Sequence, residues 1–363
     1  MSELPVEVEL VRLHMPMRRP LRSAHGEESV RDVVLVRLEQ EDGAVGWGEC
    51  SALARPTYTG EHTSGAWAVL RDELVPALLT GRDPGVVGHP MAAAAVEAAV
   101  LDARLRSQGR RLVEHLGAAH GQPRDRLAIT AVVGRTASID ELLAAVAERI
   151  DDGIALVKLK VTPHPTDLEA VAAVRAAWPG LPLAVDGNGS LDNRSASILA
   201  GVGLVYVEQP APAEDLLASA ALAERLGVPV ALDESITSLA AMEVALAVGA
   251  GSIVNVKPAR LGGVLAAAEV ARAASDAGCG VFVGGMLETG VGRAAALAVA
   301  ALPSCTLPTD LGPSSRYFDR DVTEPVVIDG DGRIVLPVGP GTGVVPLAAE
   351  VAALAVDRLV LRP

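Results

Sequence analysis

The sequence predicts an α/β protein built on a parallel βα barrel with an accessory α+β part, and three observations predict it. From about residue 127, seven short Val/Ile/Leu runs are each followed by an Ala-rich amphipathic stretch, the alternation expected of parallel strands joined by crossover helices. A charged residue breaks the end of five consecutive runs, at intervals of 22 to 26 residues, or one βα unit. The first part of the chain reads instead as antiparallel strands.

Residues 6–17 and 33–39 alternate or run apolar, 41–43 is a turn, and 45–50 returns. Between them 18–28 is polar and basic and reads as a flexible loop, as does 54–61. Helical patterns follow at 63–79 and 90–108, the second Ala-rich with Glu97, Asp102 and Arg104 set toward solvent or a neighbouring element. The barrel runs are 127–133, 155–161, 183–185, 204–207, 230–232, 252–256 and 280–283. Beyond about 321 the alternation stops. A hairpin is expected around Asp329-Gly330-Asp331-Gly332, packing back on the N-terminal part. Gly339-Pro340-Gly341-Thr342-Gly343 lacks the Lys-Ser/Thr and the helix of a phosphate loop and reads as a plain turn.

A chain of 363 residues is too long for one small core and suits a barrel plus an accessory domain. Half its residues are hydrophobic and only 2% aromatic, so the core must be built mostly from Ala, Val and Leu. A net charge of −14 argues against nucleic acid and against an anionic membrane surface. An anionic substrate must be met by local cations. Three dispersed cysteines form no CxxC pair and suit a reducing compartment. No signal peptide and no bilayer-length apolar run is evident, which predicts a soluble cytoplasmic protein.

The five charged strand ends are Lys160, Asp186, Glu208, Asp233 and Lys257. In a barrel such ends converge on one mouth, where active sites are built. Singly each would be a costly burial; together they form two cations flanking three carboxylates. Carboxylates alone, without His or Cys, make a hard oxygen site suited to Mg²⁺, with Mn²⁺ able to substitute. A ring of salt bridges is the structural alternative. Lys158 lies two residues before Lys160 and points to the same side. Crowding by that cation and the metal should lower the Lys160 pKa, making a base available. Arg260 could act likewise on Lys257, or could be a solvent-exposed residue at a helix start. Two lysines astride a metal suit removal of a proton from carbon beside a carboxylate, whose enediolate needs positive charge on its oxygens. One lysine takes the proton; the other steadies the intermediate or returns a proton on the opposite face.

The series K-x-K, V-D-x-N, V-E-Q-P, L-D-E-S and V-K-P resembles the enolase superfamily in its muconate-lactonizing subgroup, for which a Lys or His base beside Mg²⁺ is a known pattern of pKa tuning. Gly46-Trp47-Gly48-Glu49-Cys50, residues 255–263 (NVKPARLGG), residues 284–290 (GGMLETG) and residues 321–325 (DVTEP) carry a likeness to o-succinylbenzoate synthases and related N-acylamino acid racemases. The resemblance implies a modified TIM (βα) barrel over 126–320, capped by an α+β domain of 1–125 with 321–363 packing back on it. It implies that Lys160 starts a syn dehydration as base and completes it as acid, and that Lys257 stabilises the enolate. It further implies that Asn188 and Glu234 support the metal site, while Gly285, Met286 and Leu287 line the acyl pocket, with Lys158 and Arg260 also toward the substrate. Loops near 18–28 and 54–61, including Tyr58, would close over a small anionic carboxylate, and the enzyme would be a homo-oligomer. Dipeptide epimerases carry Asp-x-Asp after the last barrel strand. Here the stretch is Asp310-Leu311-Gly312, which argues against that activity.

Three functions follow as expectations. The first is dehydration of 2-succinyl-6-hydroxy-2,4-cyclohexadiene-1-carboxylate to 2-succinylbenzoate in menaquinone biosynthesis. The second is racemisation of N-acylamino (N-succinylamino) acids by the two lysines. The third is a non-catalytic barrel, for which a chelator would leave ligand binding and stability unchanged.

Overall fold

The computed structural model describes residues 4–24 and 26–363; residues 1–3, where the signal-peptide reading begins, and His25, inside the expected 18–28 loop, lie outside them. The chain opens with a long hairpin. Strands β1 (Glu7–Ser23) and β2 (Gly26–Glu39) pair antiparallel from Glu7↔Glu39 to Ser23↔Gly26, and β3 (Val45–Cys50) pairs with β2. The stretch expected as a flexible loop is thus a strand pair, interrupted by an irregularity between Pro16 and Leu21. Its polar composition reflects a tip that stands largely exposed beyond the core, where apolar alternation has nothing to bury against.

Along β1, Val8 and Leu10 face one apolar cluster while Val11, Leu13 and Met15 face another, the period of two expected of a strand covered on both sides. Helix Pro90–Ser107 covers the first face at backbone distance. A Cβ on Gly46 would stand 2.1 Å from Ala99 O, and one on Gly48 would stand 1.9 Å from Ala95 O. Glycine on the strand and alanine on the helix together supply the close approach that a core poor in aromatics requires.

The tail departs from its expected course. After β4 (Arg126–Ala128) come the barrel strands, then β12 (Arg333–Val335) and β13 (Ala355–Leu361). The expected hairpin forms: Ile328 bridges Ile334, and the Asp329 and Val335 amides donate to Arg333 O and Val327 O at 2.8 and 3.2 Å. Its second arm, β12, however, pairs antiparallel with β4 and not with the N-terminal sheet. Ile334 is buried in the barrel's cluster beside Leu127, which draws this arm away. It is β13 that joins the first sheet, in the order β13-β1-β2-β3. The turn at 339–343 is structural: the Thr342 amide donates to buried Asp102 at 2.7 Å.

The parallel sheet contains β5 (Thr130–Val133), β6 (Leu156–Lys160), β7 (Leu183–Asp186), β8 (Val207–Glu208), β9 (Val230–Leu232), β10 (Ile253–Val256) and β11 (Gly280–Val283), each beside its predecessor. Each of the seven expected runs overlaps one of these strands, the run 204–207 meeting β8 only at Val207 and the first being shared between β4 and β5. The extended segment 307–310 joins the two edges. Leu307 and Asp310 amides donate to Val281 and Val283 carbonyls at 2.9 and 3.0 Å, while Thr309 exchanges bonds with Ala128 and Thr130 at 3.0 and 2.8 Å. Outward residues such as Val157, Val185, Val207 and Val254 pack under the helices. Inward residues Leu156, Ala184, Tyr206, Ala231, Ile253 and Phe282 form a separate apolar plug. Among the described residues no helix is long and apolar enough to cross a membrane.

Carboxylates of the N-terminal elements cap barrel helices. Glu97 accepts from the Val264 amide at 2.6 Å and the Leu265 amide at 3.3 Å, at the start of helix Val264–Asp276. Glu49 on β3 accepts from the Thr289 and Gly292 amides at 3.1 and 2.9 Å, at the start of helix Gly290–Ala300. Helix starts leave four amides without intrahelical partners and favour negative charge, so these contacts fasten the two parts together. Burial, against the hydrogen bond from Thr289, pushes Glu49 up from 4.5 to about 7. Between those values the native state holds a proton that the unfolded chain has released, so stability falls as pH rises through the window. Glu49→Gln should flatten that slope, read from urea midpoints at pH 4.5, 6 and 7.5.

Candidate active site

The inward positions one step above the apolar plug are Lys158, Asp186, Glu208, Asp233 and Asn255, each two residues beyond a plug residue. Parallel pairing sets them side by side: Lys160 is in register with Asp186, and Asp186 with Glu208. Asp233 follows the end of β9, and Lys257 precedes the short helix Pro258–Leu261 after β10. The barrel therefore gathers all five strand-end charges at one mouth. Lys158 stands over the Phe282 ring at 5.0 Å from its centroid.

Each lysine meets a carboxylate. Lys158 contacts Glu208 and reaches Asp310 Oδ2 at 2.5 Å. Lys160 Nζ lies 2.6 Å from Asp186 Oδ2 and 3.1 Å from Asn188 Oδ1. Lys257 Nζ lies 2.8 Å from Asp233 Oδ2. The expected lowering of the lysine pKa values does not occur in this arrangement. Burial is the largest influence and acts to lower Lys160 and Lys257, but Asp186 with Glu208 around the first, and Asp233 with Tyr58 and Glu234 around the second, together hold both above the ordinary lysine value. The repulsion of Lys158 on Lys160, and of Arg260 on Lys257, is present but smaller. Glu208 behaves oppositely: burial, only partly offset by Lys158 and reinforced by Asp186 and Asp310, pushes its carboxyl up to about 8. The carboxylates are turned toward the ammonium groups, and among the described residues no three His, Cys, Asp or Glu side chains converge closely enough to hold an ion.

Arg260 is not at a solvent-exposed helix start. It is buried, donating to Tyr58 Oη at 2.6 Å, Ile236 O at 2.7 Å and Asn255 O at 2.6 Å, and contacting Asp233. It lies behind the mouth and lines neither lobe of the cavity described below. Asn188 donates to Glu234 Oε1 at 2.9 Å and its amide to Asp186 Oδ1 at 2.9 Å, linking three strand ends. Three non-glycine residues of the described chain have positive φ: Asn188 at 42°, Gln209 at 36° and Leu287 at 57°. All three are at this mouth, the sort of clustering that strained backbone shows at functional sites.

Two adjoining cavity lobes open here. One, of about 80 Å³, is lined by Lys158, Asp186, Glu208 and Asp310. The other, of about 100 Å³, is walled by Leu21, Leu53, Tyr58, Met286 and Leu287, with Asn188 at its side. Lys160, Lys257 and Gly285 border both lobes. A larger cleft of about 730 Å³ between Arg18, Arg149 and Arg316 contains none of these groups.

Four site residues escaped the sequence reading or were left open by it. Tyr58, in the 54–61 loop, donates to Asp233 Oδ1 at 3.1 Å and accepts from Lys257 at 3.2 Å. Asp310 ends the closing segment, and its position about two βα intervals after Lys257 was the available signal. Asn255 donates to Glu208 Oε1 at 2.7 Å. Buried Gln209 accepts from the Asp233 amide at 2.9 Å and donates to Ser235 Oγ at 2.8 Å, fixing the loop that carries Asp233.

Comparison with known proteins bears on this geometry. Residues 6–117 match the mandelate racemase / muconate lactonizing enzyme N-terminal domain, and residues 141–350 match the enolase C-terminal domain-like family. An N-succinylamino acid racemase from Amycolatopsis sp. is 42% identical over 354 residues, covering 94% of each chain. An o-succinylbenzoate synthase from Bacillus subtilis (strain 168) is 33% identical over 352 residues, covering 93% of each. Among solved structures, an enolase superfamily member from Listeria innocua superposes with a TM-score of 0.92 at 29% identity, covering 99% of each chain. A muconate lactonizing enzyme from Pseudomonas fluorescens does so at 0.91 and 25% identity, over 98% of this chain and all of that one.

Proposed function

Since the chain belongs to the enolase superfamily, in the mandelate racemase / muconate lactonizing enzyme group, and is therefore an enzyme of a typically divalent-metal-dependent kind, we propose that it is an o-succinylbenzoate synthase. In this reading it removes water from 2-succinyl-6-hydroxy-2,4-cyclohexadiene-1-carboxylate, in the cytoplasm and in service of menaquinone synthesis, as a homo-oligomer. The observation that carries it is that Lys160 and Lys257 both border a cavity with carboxylates in one lobe and an apolar wall of Leu53, Met286 and Leu287 in the other.

Asp186, Glu208 and Asp233 would hold the metal, Mg²⁺ in this reading with Mn²⁺ able to replace it. The donor set fits: three carboxylates on adjacent strand ends, no His or Cys, and ammonium groups standing against them as surrogate cations. When bound, the ion supplies positive charge toward the substrate's carboxylate oxygens. Once Asp186 turns from Lys160, that lysine loses its nearest carboxylate but keeps Lys158 beside it, and its pKa falls. Lys160 then takes the proton from carbon beside the carboxylate. The ring electrons expel the hydroxyl, Lys160 returns the proton to it, and water leaves from the same face. Lys257, held by Asp233 and Tyr58, supports the opposite face with its charge. Lys158 adds charge in the carboxylate lobe, Asn188 and Glu234 brace the metal carboxylates, and Gly285, Met286 and Leu287 receive the succinyl arm.

The test is direct. Protein with Mg²⁺ should aromatise the cyclohexadiene substrate, followed by ultraviolet absorbance, and lose the activity to chelator. Absence of aromatisation with Mg²⁺ and with Mn²⁺ would sink the proposal. A second reading, N-succinylamino acid racemase, is favoured by the pair of lysines bordering one cavity and by the 42% identical relative of that name. Heavy water separates it: racemisation puts deuterium at Cα from either enantiomer.

A further inference from the structure

Arg31 on β2 is fully buried, yet every acceptor it meets is a backbone carbonyl. Nη2 donates to Ser51 O at 2.8 Å and to Met286 O at 3.1 Å, Nη1 to Ala52 O at 3.3 Å, and Nε reaches Leu287 O at 3.5 Å. No described carboxylate forms an ion pair with it. Burial lowers its pKa, outweighing Glu28, Glu49, Glu288 and Asp32, which favour its charge from beyond contact distance. Burying a charge on such terms is unfavourable, and an apolar side chain of similar volume would serve a core at least as well. Simple packing therefore does not account for a guanidinium here. Its planar fork of five donors does something an apolar residue cannot, which is to tie two separate backbone segments to one rigid group.

The segments it ties decide the role. Residues 51–52 lead into the loop that carries Leu53 and Tyr58, and residues 286–287 form the facing wall of the same apolar lobe. Leu287 holds a φ of 57°, which a non-glycine residue keeps only under constraint from its surroundings. Glu288 grips this loop from the other side, accepting the Met286 amide at 2.7 Å. Behind it, Gly284 leaves no slack, since a Cβ there would stand 2.3 Å from Asn255 Oδ1. Arg31 thus fastens the lobe's two walls directly to one rigid group, while Glu49, which accepts from Ser51 Oγ and from the Thr289 amide at 3.1 Å each, links the same segments one step further from the lobe.

We propose that Arg31 is a positioning residue that sets the width of the apolar lobe, and thereby the size of the acyl or side-chain group the enzyme accepts. The inference rests on the carbon-acid reading of the site. It is tested on the full chain with Mg²⁺ by comparing Arg31→Met and Arg31→Lys with the unaltered enzyme. The probes are N-succinylalanine and N-succinylphenylalanine for racemisation and the cyclohexadiene carboxylate for dehydration. Arg31→Met should change the ratio of kcat/KM between the large and the small side chain by about tenfold, the scale of a methylene in a hydrophobic pocket, chiefly through KM. Arg31→Lys keeps the charge but cannot span four carbonyls, and should shift the ratio in the same direction by less. Equal losses on all substrates, in step with a lowered melting temperature, would mean a merely structural residue and overturn the proposal. If the unaltered enzyme turns over none of these compounds, the functional reading fails, and hydrogen exchange tests the fastening by itself. Amides of 51–54 and 284–288 should then lose protection together in either variant while β7 and β8 keep theirs. Retained protection of both segments would overturn it. Should Arg31→Met not fold, Arg31→Lys carries both measurements.

Discussion

Lys160→Met is expected to lower kcat by about 10²–10⁴-fold, the range for loss of a positioned acid–base group, and to do so differently for the two candidate reactions. Dehydration uses one face, so aromatisation should be lost outright. Racemisation uses two, so in heavy water one enantiomer of an N-succinylamino acid should still exchange its α-hydrogen through Lys257 while the other stops. Proton NMR of each enantiomer reads this. Full dehydration activity in the variant, or equal exchange of both enantiomers, would refute the assignment of Lys160 as base. The fold should tolerate the change. Lys160 is the most exposed of the three site lysines, and the Asp186 it leaves behind still accepts the Asn188 amide. The pH dependence has a definite sign. Burial lowers the Lys160 pKa, but Asp186 and Glu208 together more than offset it, so without a divalent ion the free amine forms only at high pH. Added Mg²⁺, by drawing Asp186 away, should move the rising limb of the rate profile to lower pH.

Much of this was legible because a barrel is periodic. The two-residue alternation of each strand and the recurrence of one charge per βα unit carry the same information, and both are local in sequence. Lys160, Asp186, Glu208, Asp233 and Lys257 could be found before any fold was seen. What escaped was set by packing between distant segments. The 18–28 stretch forms strands because β1 and β2 continue their pairing past the core, which its polar composition does not reveal. The hairpin at 326–336 forms as expected, but its arm at 333–335 packs on 126–128 and not on the N-terminal sheet, because burial of Ile334 in the barrel cluster fixes it there. Arg260 could not be distinguished from a surface residue by spacing, since its burial depends on carbonyls at Ile236 and Asn255. The raised lysine pKa values of the ion-free site have an electrostatic reason that sequence spacing does not show. Like charges two or three residues apart are visible in sequence, whereas the carboxylate that outweighs them comes from the next strand.

Asp233→Asn should have the largest effect on stability of any single change at the mouth. Its carboxylate is shared by Lys257 at 2.8 Å and by Arg260, and it accepts from Tyr58 at 3.1 Å, all within the buried mouth. An amide leaves two buried cations without their counter-charge, and breaking a buried pair by removing one partner costs about 3–5 kcal/mol. Against a typical total of ~5–15 kcal/mol, the urea midpoint should fall steeply while the protein still folds. Glu208→Gln provides the contrast. Lys158 keeps Asp310 as partner. Burial and the neighbouring carboxylates raise the Glu208 carboxyl to about 8, so near neutral pH without metal the neutral amide resembles the form already present. Its ion-free stability should therefore change little. The two variants should nevertheless agree in one respect. If Asp186, Glu208 and Asp233 hold the ion, Mg²⁺ raises the melting temperature of the unaltered protein by mass action and raises neither variant's. If the charges are only a ring of salt bridges, Mg²⁺ raises none of the three, and Asp233→Asn alone is destabilised.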